Sequence, residues 1–181
     1  MAGQHTSSAT GSWAMLRLAS RPEIIEELYE EQVRVYSDGA GGFAPLDYDT
    51  QKSSVPVLDA VIRETLRMHP PIHSLMRRVK SDMVVPPTLA APKTGKGQST
   101  DTYVIPKGHY LVAAPGVSQI DPHVWCDADK FDPHRWLGDK TLMDQTDDAQ
   151  EDFGWGLVST GANSAYLPFG AGRHRCICLL Y

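Results

Sequence analysis

The residue types with the greatest chemical reach are gathered in Phe169-Gly170-Ala171-Gly172-Arg173-His174-Arg175-Cys176-Ile177-Cys178. Gly170 and Gly172 permit a tight turn and let backbone approach a bulky group, because no Cβ stands in the way. Cys176 follows that turn with Arg173, His174 and Arg175 beside it. Nearby cations stabilise a thiolate over a thiol, so this cysteine reads as a metal ligand or a nucleophile. Two blander readings stand next to it. A free cysteine is commonly a small buried residue, although three cationic neighbours are poor company for an apolar position. His174, Cys176 and Cys178 could supply part of a zinc site, but the remaining cysteine is Cys126 and no Cys-x-x-Cys pair completes the usual spacing.

A second loaded group lies mid-chain. Val57, Val61 and Met68 fall on one stripe of a helical pattern over residues 55–69, and Glu64 falls on the same stripe. A carboxylate there is expensive unless paired. Arg67, three residues on, is the nearest cation able to reach it. Beyond Pro70-Pro71 come His73, Ser74, Leu75 and the basic run Arg77-Arg78-Lys80, and near the start of the chain stand His5 and Thr6. Taken alone, His73 is an ordinary polar strand residue, the basic run a solvated cluster, Glu64–Arg67 an exposed helical pair, and His5-Thr6 part of a frayed helix start.

The elements that must position these groups follow from pattern. Trp13, Met15, Leu16 and Leu18 predict a helix within residues 1–19. Ser20-Arg21-Pro22-Glu23 has the form of a capping box, with proline in the first turn where its missing N–H costs least. The helix it opens has Ile25, Leu28, Tyr29, Gln32 and Tyr36 at helical spacing, with Glu23, Glu26, Glu27, Glu30 and Glu31 on a solvated face. A glycine-rich loop ends it. The helix of residues 55–69 is stopped by Pro70-Pro71, and residues 70–79 are expected to run on as a strand. Residues 86–102 read as a surface loop, Tyr103-Val-Ile and His109-Tyr-Leu-Val-Ala as a hairpin about Pro106-Lys-Gly108, residues 115–138 as an irregular meander, and the acidic residues 138–161 as a solvated loop.

With 181 residues, the chain suits one domain or part of a larger one. A net charge of −5 gives no footing for nucleic-acid binding, which wants a basic face. Three cysteines without regular spacing point to a reducing compartment rather than a disulfide framework. No apolar run approaches the length of a membrane span.

The order Phe-x-x-Gly-x-His-x-Cys at residues 169–176 resembles the haem-binding loop of the cytochrome P-450 superfamily. Glu64-x-x-Arg67, with Arg135 in Phe131-Asp-Pro-His-Arg135-Trp136, resembles that superfamily's buried Glu-x-x-Arg network and its third partner. AGQHTS at residues 2–7, HPPIHSLMRRV at 69–79 and YLPFGAGRHRC at 166–176 are similar to the sterol 14α-demethylases, most nearly the fungal ones. His5, where most superfamily members carry an acid, is typical of that group.

The resemblance implies a mainly α fold with small β-sheets. Residues 1–181 are then a partial cytochrome P-450 domain running from the oxygen-groove helix to the haem-ligand loop, truncated at both ends. It implies that Cys176 is the axial ligand of haem b, that Arg77 and His174 meet the haem propionates, and that Phe169 and Gly170 also bind this cofactor. His5 and Thr6 would handle protons for bound dioxygen, while His73, Ser74 and Leu75 would face a lanosterol-type sterol. Electrons would come from NADPH through a membrane-bound cytochrome P-450 reductase, at the cytosolic face of the endoplasmic reticulum. Cys178 departs from the pattern, which has glycine there. The same resemblance leaves room for a catalytically inactive fragment with weak haem affinity, or for a family member that hydroxylates another lipid.

Overall fold

A computed structural model of the chain describes residues 2–45, 47, 50, 54–85, 103–137 and 166–170. The expected loops at 86–102 and 138–161, and the residues from Ala171 to Tyr181, lie outside the described residues. The chain divides into two units, Met1–His73 with Pro115–Tyr181, and Ser74–Ala114.

In the first unit, α1 (Ala2–Ala19), α2 (Pro22–Tyr36) and α3 (Pro56–Met68) pack on one another, followed by the short α4 (Pro115–Ser118) and a 3-10 turn at Pro133–Trp136. The core is Ile24 of α2, Val61 of α3 and Phe131, with Leu18, Leu28 and Met68 packed against it. α3 starts with a proline in its first turn and ends one residue before His69, because Pro70 disfavours helical backbone in the residue preceding it. The Arg21 guanidinium lies over the Phe131 ring, 5.4 Å from its centroid.

The capping box does not form. The residue flanking α2 is Arg21, without a side-chain cap, and the Ser20 hydroxyl donates instead to Arg17 O at 3.1 Å, serving the end of α1. The buried side of α2 also differs from the expected one: Ile24, Glu31 and Tyr36 are buried, while Ile25 and Tyr29 are exposed. Glu31 is no solvated residue. Its carboxylate accepts from Val57 N at 2.8 Å and Leu58 N at 3.0 Å, satisfying two of the donors that the first turn of α3 leaves open.

In the second unit, β1 (Leu75–Arg78) pairs antiparallel with β4 (Tyr110–Ala113), with Leu75 opposite Ala113 and Arg78 opposite Tyr110. β2 (Met83–Val85) pairs antiparallel with β3 (Tyr103–Ile105). The two strands about Pro106-Lys107-Gly108 therefore do not form a hairpin with each other; each finds its partner among residues 75–85. The turn between them is a corner. Gly108 adopts φ +94°, a left-handed conformation that suits glycine, and its N–H donates to Val79 O at 2.9 Å while Val79 N donates to His109 O at 2.8 Å. The expected strand of residues 70–79 is shorter than its pattern, since only Leu75–Arg78 has a ladder partner.

Candidate functional site

The apolar stripe of α3 carries Glu64 inward, where it is fully buried with Arg67. The two face each other in a bidentate pair, Arg67 donating from Nη2 to Oε1 at 2.8 Å and from Nε to Oε2 at 2.9 Å. Arg135 closes the other side, its Nε 3.0 Å from Oε1. That placement comes from the 3-10 turn, which Pro133 preorganises and Asp132 caps by accepting from His134 N at 3.0 Å. The same turn brings Trp136 Nε1 to Oε2 at 3.0 Å and Asp132 N to Oε1 at 3.0 Å. Burial opposes ionisation of Glu64, but the Arg67 hydrogen bonds, the Asp132 N–H and the two guanidinium charges together outweigh it and hold the carboxyl below its ordinary value. The expected network of Glu64, Arg67 and Arg135 is thus assembled.

Arg67 does a second thing. Its Nη1 donates to Gln119 O at 2.7 Å and Ala128 O at 2.9 Å, and its Nη2 to Lys130 O at 3.0 Å. Arg135 likewise holds Cys126 O at 2.9 Å and Asp127 O at 3.3 Å. The backbone hydrogen bonds within the irregular segment of residues 119–136 close only short turns, and the two guanidinium forks supply further donors to its carbonyls. Arg67 also lies 5.3 Å from the Trp125 ring centroid.

The approach to Cys176 is fastened to the same place. Tyr166 packs against Trp136 and Trp125 at centroid distances of 4.9 and 6.5 Å and donates its hydroxyl to Arg63 O at 3.3 Å; burial raises its pKa well above the ordinary tyrosine value. Leu167 N donates to Gln119 Oε1 at 2.7 Å. Pro168 and Phe169 then turn, with Gly170 N donating back to Leu167 O at 3.1 Å and Gly170 itself at φ +71°. Cys176 and His174 lie outside the described residues.

The other expected site residues are distributed as follows. His5 and Thr6 are exposed on α1, and the Thr6 hydroxyl donates to Gly3 O at 3.1 Å. His73 is exposed; its carbonyl accepts from Gly116 N at 3.1 Å. A Cβ on Gly116 would stand 2.7 Å from His73 Nε2 and 2.9 Å from Cγ, so the imidazole rests where only glycine leaves room. Ser74 is exposed, Leu75 is half-buried in β1, and Arg77 of β1 is exposed, with its Nη1 donating to Met76 O at 2.9 Å.

Sequence pattern gave no sign of two further features. His69 stacks on Trp13 with centroids 3.8 Å apart and planes 3° from parallel. Arg17 donates to its Nε2 from Nε at 3.0 Å and Nη2 at 2.9 Å, so the proton of this neutral imidazole sits on Nδ1. Burial, then the Arg17 and Arg67 charges, lower the His69 pKa. A cavity of about 420 Å³ opens beside the stack, bordered by Ala9, Trp13, His69, His73 and Ile120 among others. The second feature is Gln119, fully buried between α3 and Leu167. Among the described residues, no group of three or more His, Cys, Asp or Glu side chains is placed to hold a metal ion, and no helix is long and apolar enough to cross a membrane.

Residues 1–178 match the family Cytochrome P450. The chain belongs to the cytochrome P450 family. It is 68% identical over 179 residues to the lanosterol 14-alpha demethylase of Mycosarcoma maydis, covering 98% of this chain and 32% of that protein. It is 49% identical over 179 residues to the eburicol 14-alpha-demethylase of Uncinula necator, covering 98% and 31%. To the lanosterol 14-alpha demethylase of Eremothecium gossypii it is 48% identical over 177 residues, covering 98% and 30%. The chain therefore spans about a third of the length of the curated relatives it matches.

Proposed function

We propose that the chain forms the haem-ligating part of a haem-thiolate monooxygenase that removes the 14α-methyl group of a lanosterol-type sterol. The observation that carries this reading is the Glu64 carboxylate clamped between Arg67 and Arg135 and tied through Gln119 to Leu167, nine residues before Cys176. An anionic sulfur among Arg173, His174 and Arg175 is a donor set fit for a haem iron, and the left-handed Gly170 fits a backbone that must come close to a flat macrocycle. Haem b, held through Cys176, supplies the activation of dioxygen, which a thiolate ligand favours.

The chain's own groups do the rest. Arg77 and His174 would pair with the propionates, and Phe169 and Gly170 would help to bind the same group. Thr6 Oγ1 and the His5 imidazole would hold and deliver protons for the reaction; a hydroxyl already directed at the Gly3 carbonyl can exchange that partner for an incoming acceptor. Ala9 and Trp13, three and seven residues after Thr6, continue its face of α1 to the cavity that His73 borders. His73, Ser74 and Leu75 would meet the sterol. Electrons would reach the site from NADPH through a cytochrome P-450 reductase, in a full-length protein held at the cytosolic face of the endoplasmic reticulum membrane.

The test uses a full-length holoprotein carrying this chain, reduced under carbon monoxide. A red-shifted Soret band is expected, lost in Cys176→Ala and kept in Cys178→Ala, together with 14α-demethylation of lanosterol. An unshifted band in the unaltered protein defeats the thiolate assignment. A shifted band with oxidation of other lipids but not of 14α-methyl sterols leaves a haem-thiolate enzyme of different substrate.

A further inference from the structure

Gln119 is a long polar side chain with no solvent exposure, lying in an irregular segment between two short turns. Its Nε2 donates to Leu66 O at 3.0 Å and to Arg67 O at 2.9 Å. Those carbonyls belong to the last turn of α3, where a helix leaves its acceptors without intrahelical donors. The opposite end of the same amide, Oε1, accepts from Leu167 N at 2.7 Å. The side chain thus continues the hydrogen-bond chain of α3 by one link and hands it to the strand of chain leading to Cys176. Its backbone is fixed as well, since Gln119 O accepts from Arg67 Nη1 at 2.7 Å and Gln119 N donates to Pro115 O at 2.9 Å.

A hydrophobic residue could fill this volume, but it could neither satisfy both carbonyls of α3 nor hold Leu167. Buried polar groups of this kind are tolerated when every member is paired, and then they specify one arrangement. Tyr166 alone would leave the next residue free to pivot about the ring. Leu167 N bonded to a rigidly held oxygen removes that freedom, and the tight turn from Leu167 to Gly170 starts from a fixed point.

We propose that Gln119 is a positioning residue for the Cys176 loop, transmitting the fixed geometry of the Glu64–Arg67 helix to the point at which that loop begins. The proposal rests on the haem-thiolate reading above. Its removal releases Leu167 and the turn from Leu167 to Gly170, from which the chain runs on to Cys176, without touching substrate or the reacting atoms.

The experiment compares Gln119→Met, Gln119→His and Val61→Ala in the full-length holoprotein, each reduced under carbon monoxide well below its melting temperature. Methionine has similar length and no N–H; histidine keeps one donor and one acceptor; Val61→Ala, on the same helix α3, weakens the core that Val61 shares with Ile24 and Phe131. Gln119→Met is expected to lower the ratio of red-shifted to unshifted Soret band by about fivefold, the factor that one lost hydrogen bond gives. Gln119→His is expected to recover most of that ratio, and Val61→Ala to leave it at the wild-type value. Should Gln119→Met fail to fold, Gln119→Asn, one methylene too short to reach both partners, makes the same comparison. A wild-type ratio in the folded Met or Asn variant overturns the proposal, as does an equal loss in Val61→Ala. A wild-type protein without the shifted band is a different result, because the haem-thiolate reading then falls first and takes this one with it.

Discussion

Replacing Glu64 and Arg67 together, by leucine and methionine, separates two effects that a single substitution mixes. Exchanging a buried ion pair for apolar side chains of like volume is often neutral, or stabilising by about 1–4 kcal/mol, because two desolvated charges disappear. In this protein Arg67 also supplies the donors for the buried carbonyls of Gln119 and Ala128, at 2.7 and 2.9 Å. Each buried acceptor left without a partner costs about 1–3 kcal/mol, so the two together cost about 2–6 kcal/mol. Trp136 Nε1 and Arg135 Nε lose their acceptor in the same change. The unmade bonds exceed the relief of desolvation, and a net loss of about 2 kcal/mol or more is expected for the double replacement. Glu64→Leu alone, which strands a fully buried guanidinium, is expected to cost about 3–5 kcal/mol. Urea unfolding of the full-length protein followed by circular dichroism measures both as shifts of midpoint at unchanged slope. A double variant as stable as wild type would show that Arg67 serves only its carboxylate, and the reasoning about the carbonyls would be refuted.

Three further outcomes are expected. Because the Glu64 carboxyl titrates below its ordinary value of 4.5, its contribution to stability is complete above that value and fades as pH falls through the lower folded one; Glu64→Gln should flatten the stability curve in that acidic window. His69 also titrates below its ordinary 6.5, so its neutral form supports the fold above that pH and protonation weakens it below. An imidazole NMR titration should find His69 depressed and Arg17→Leu moving it part of the way back, the remainder being burial and the Arg67 charge; no change on removing Arg17 would contradict the assigned hydrogen bonds. Gly116→Ala sets a methyl group against the His73 imidazole and must displace it. In the full-length protein, under the proposed function, it should raise the KM for a 14α-methyl sterol more than it lowers kcat, whereas Gly39→Ala, at a glycine with open space around it but a left-handed backbone, should alter stability alone.

The buried carboxylate was legible in the sequence because its expense was legible: an acid on an apolar stripe with a cation three residues on demands a paired, inward solution, and the structure supplies it at Glu64, Arg67 and Arg135. The end of α3 followed from Pro70-Pro71, and the helix expected over residues 55–69 spans Pro56–Met68. Glu31 could not be read in the same way. Helical spacing says which residues share a face, but not that the N-terminus of another helix would be presented to one of five glutamates. The turn at Pro106-Lys-Gly108 carries the same signal whether the flanking strands pair with each other or part to different sheets, and the decision lies with residues 75–85. Gln119 left no trace, since an isolated glutamine in an irregular segment has no periodicity to betray it. Its role appears only when the last carbonyls of α3 and the amide of Leu167 are seen on either side.

The carboxylate of Glu31 makes the helix that carries the network depend on a remote segment for its beginning. Val55, which precedes α3, brings no side-chain cap, so two peptide N–H groups at its start are protected only while α2 is docked. Unzipping of the one must therefore expose the other, and the two helices should open as a single unit in hydrogen exchange, with the amides of Val57 and Leu58 keeping time with those of α2 rather than with the rest of α3.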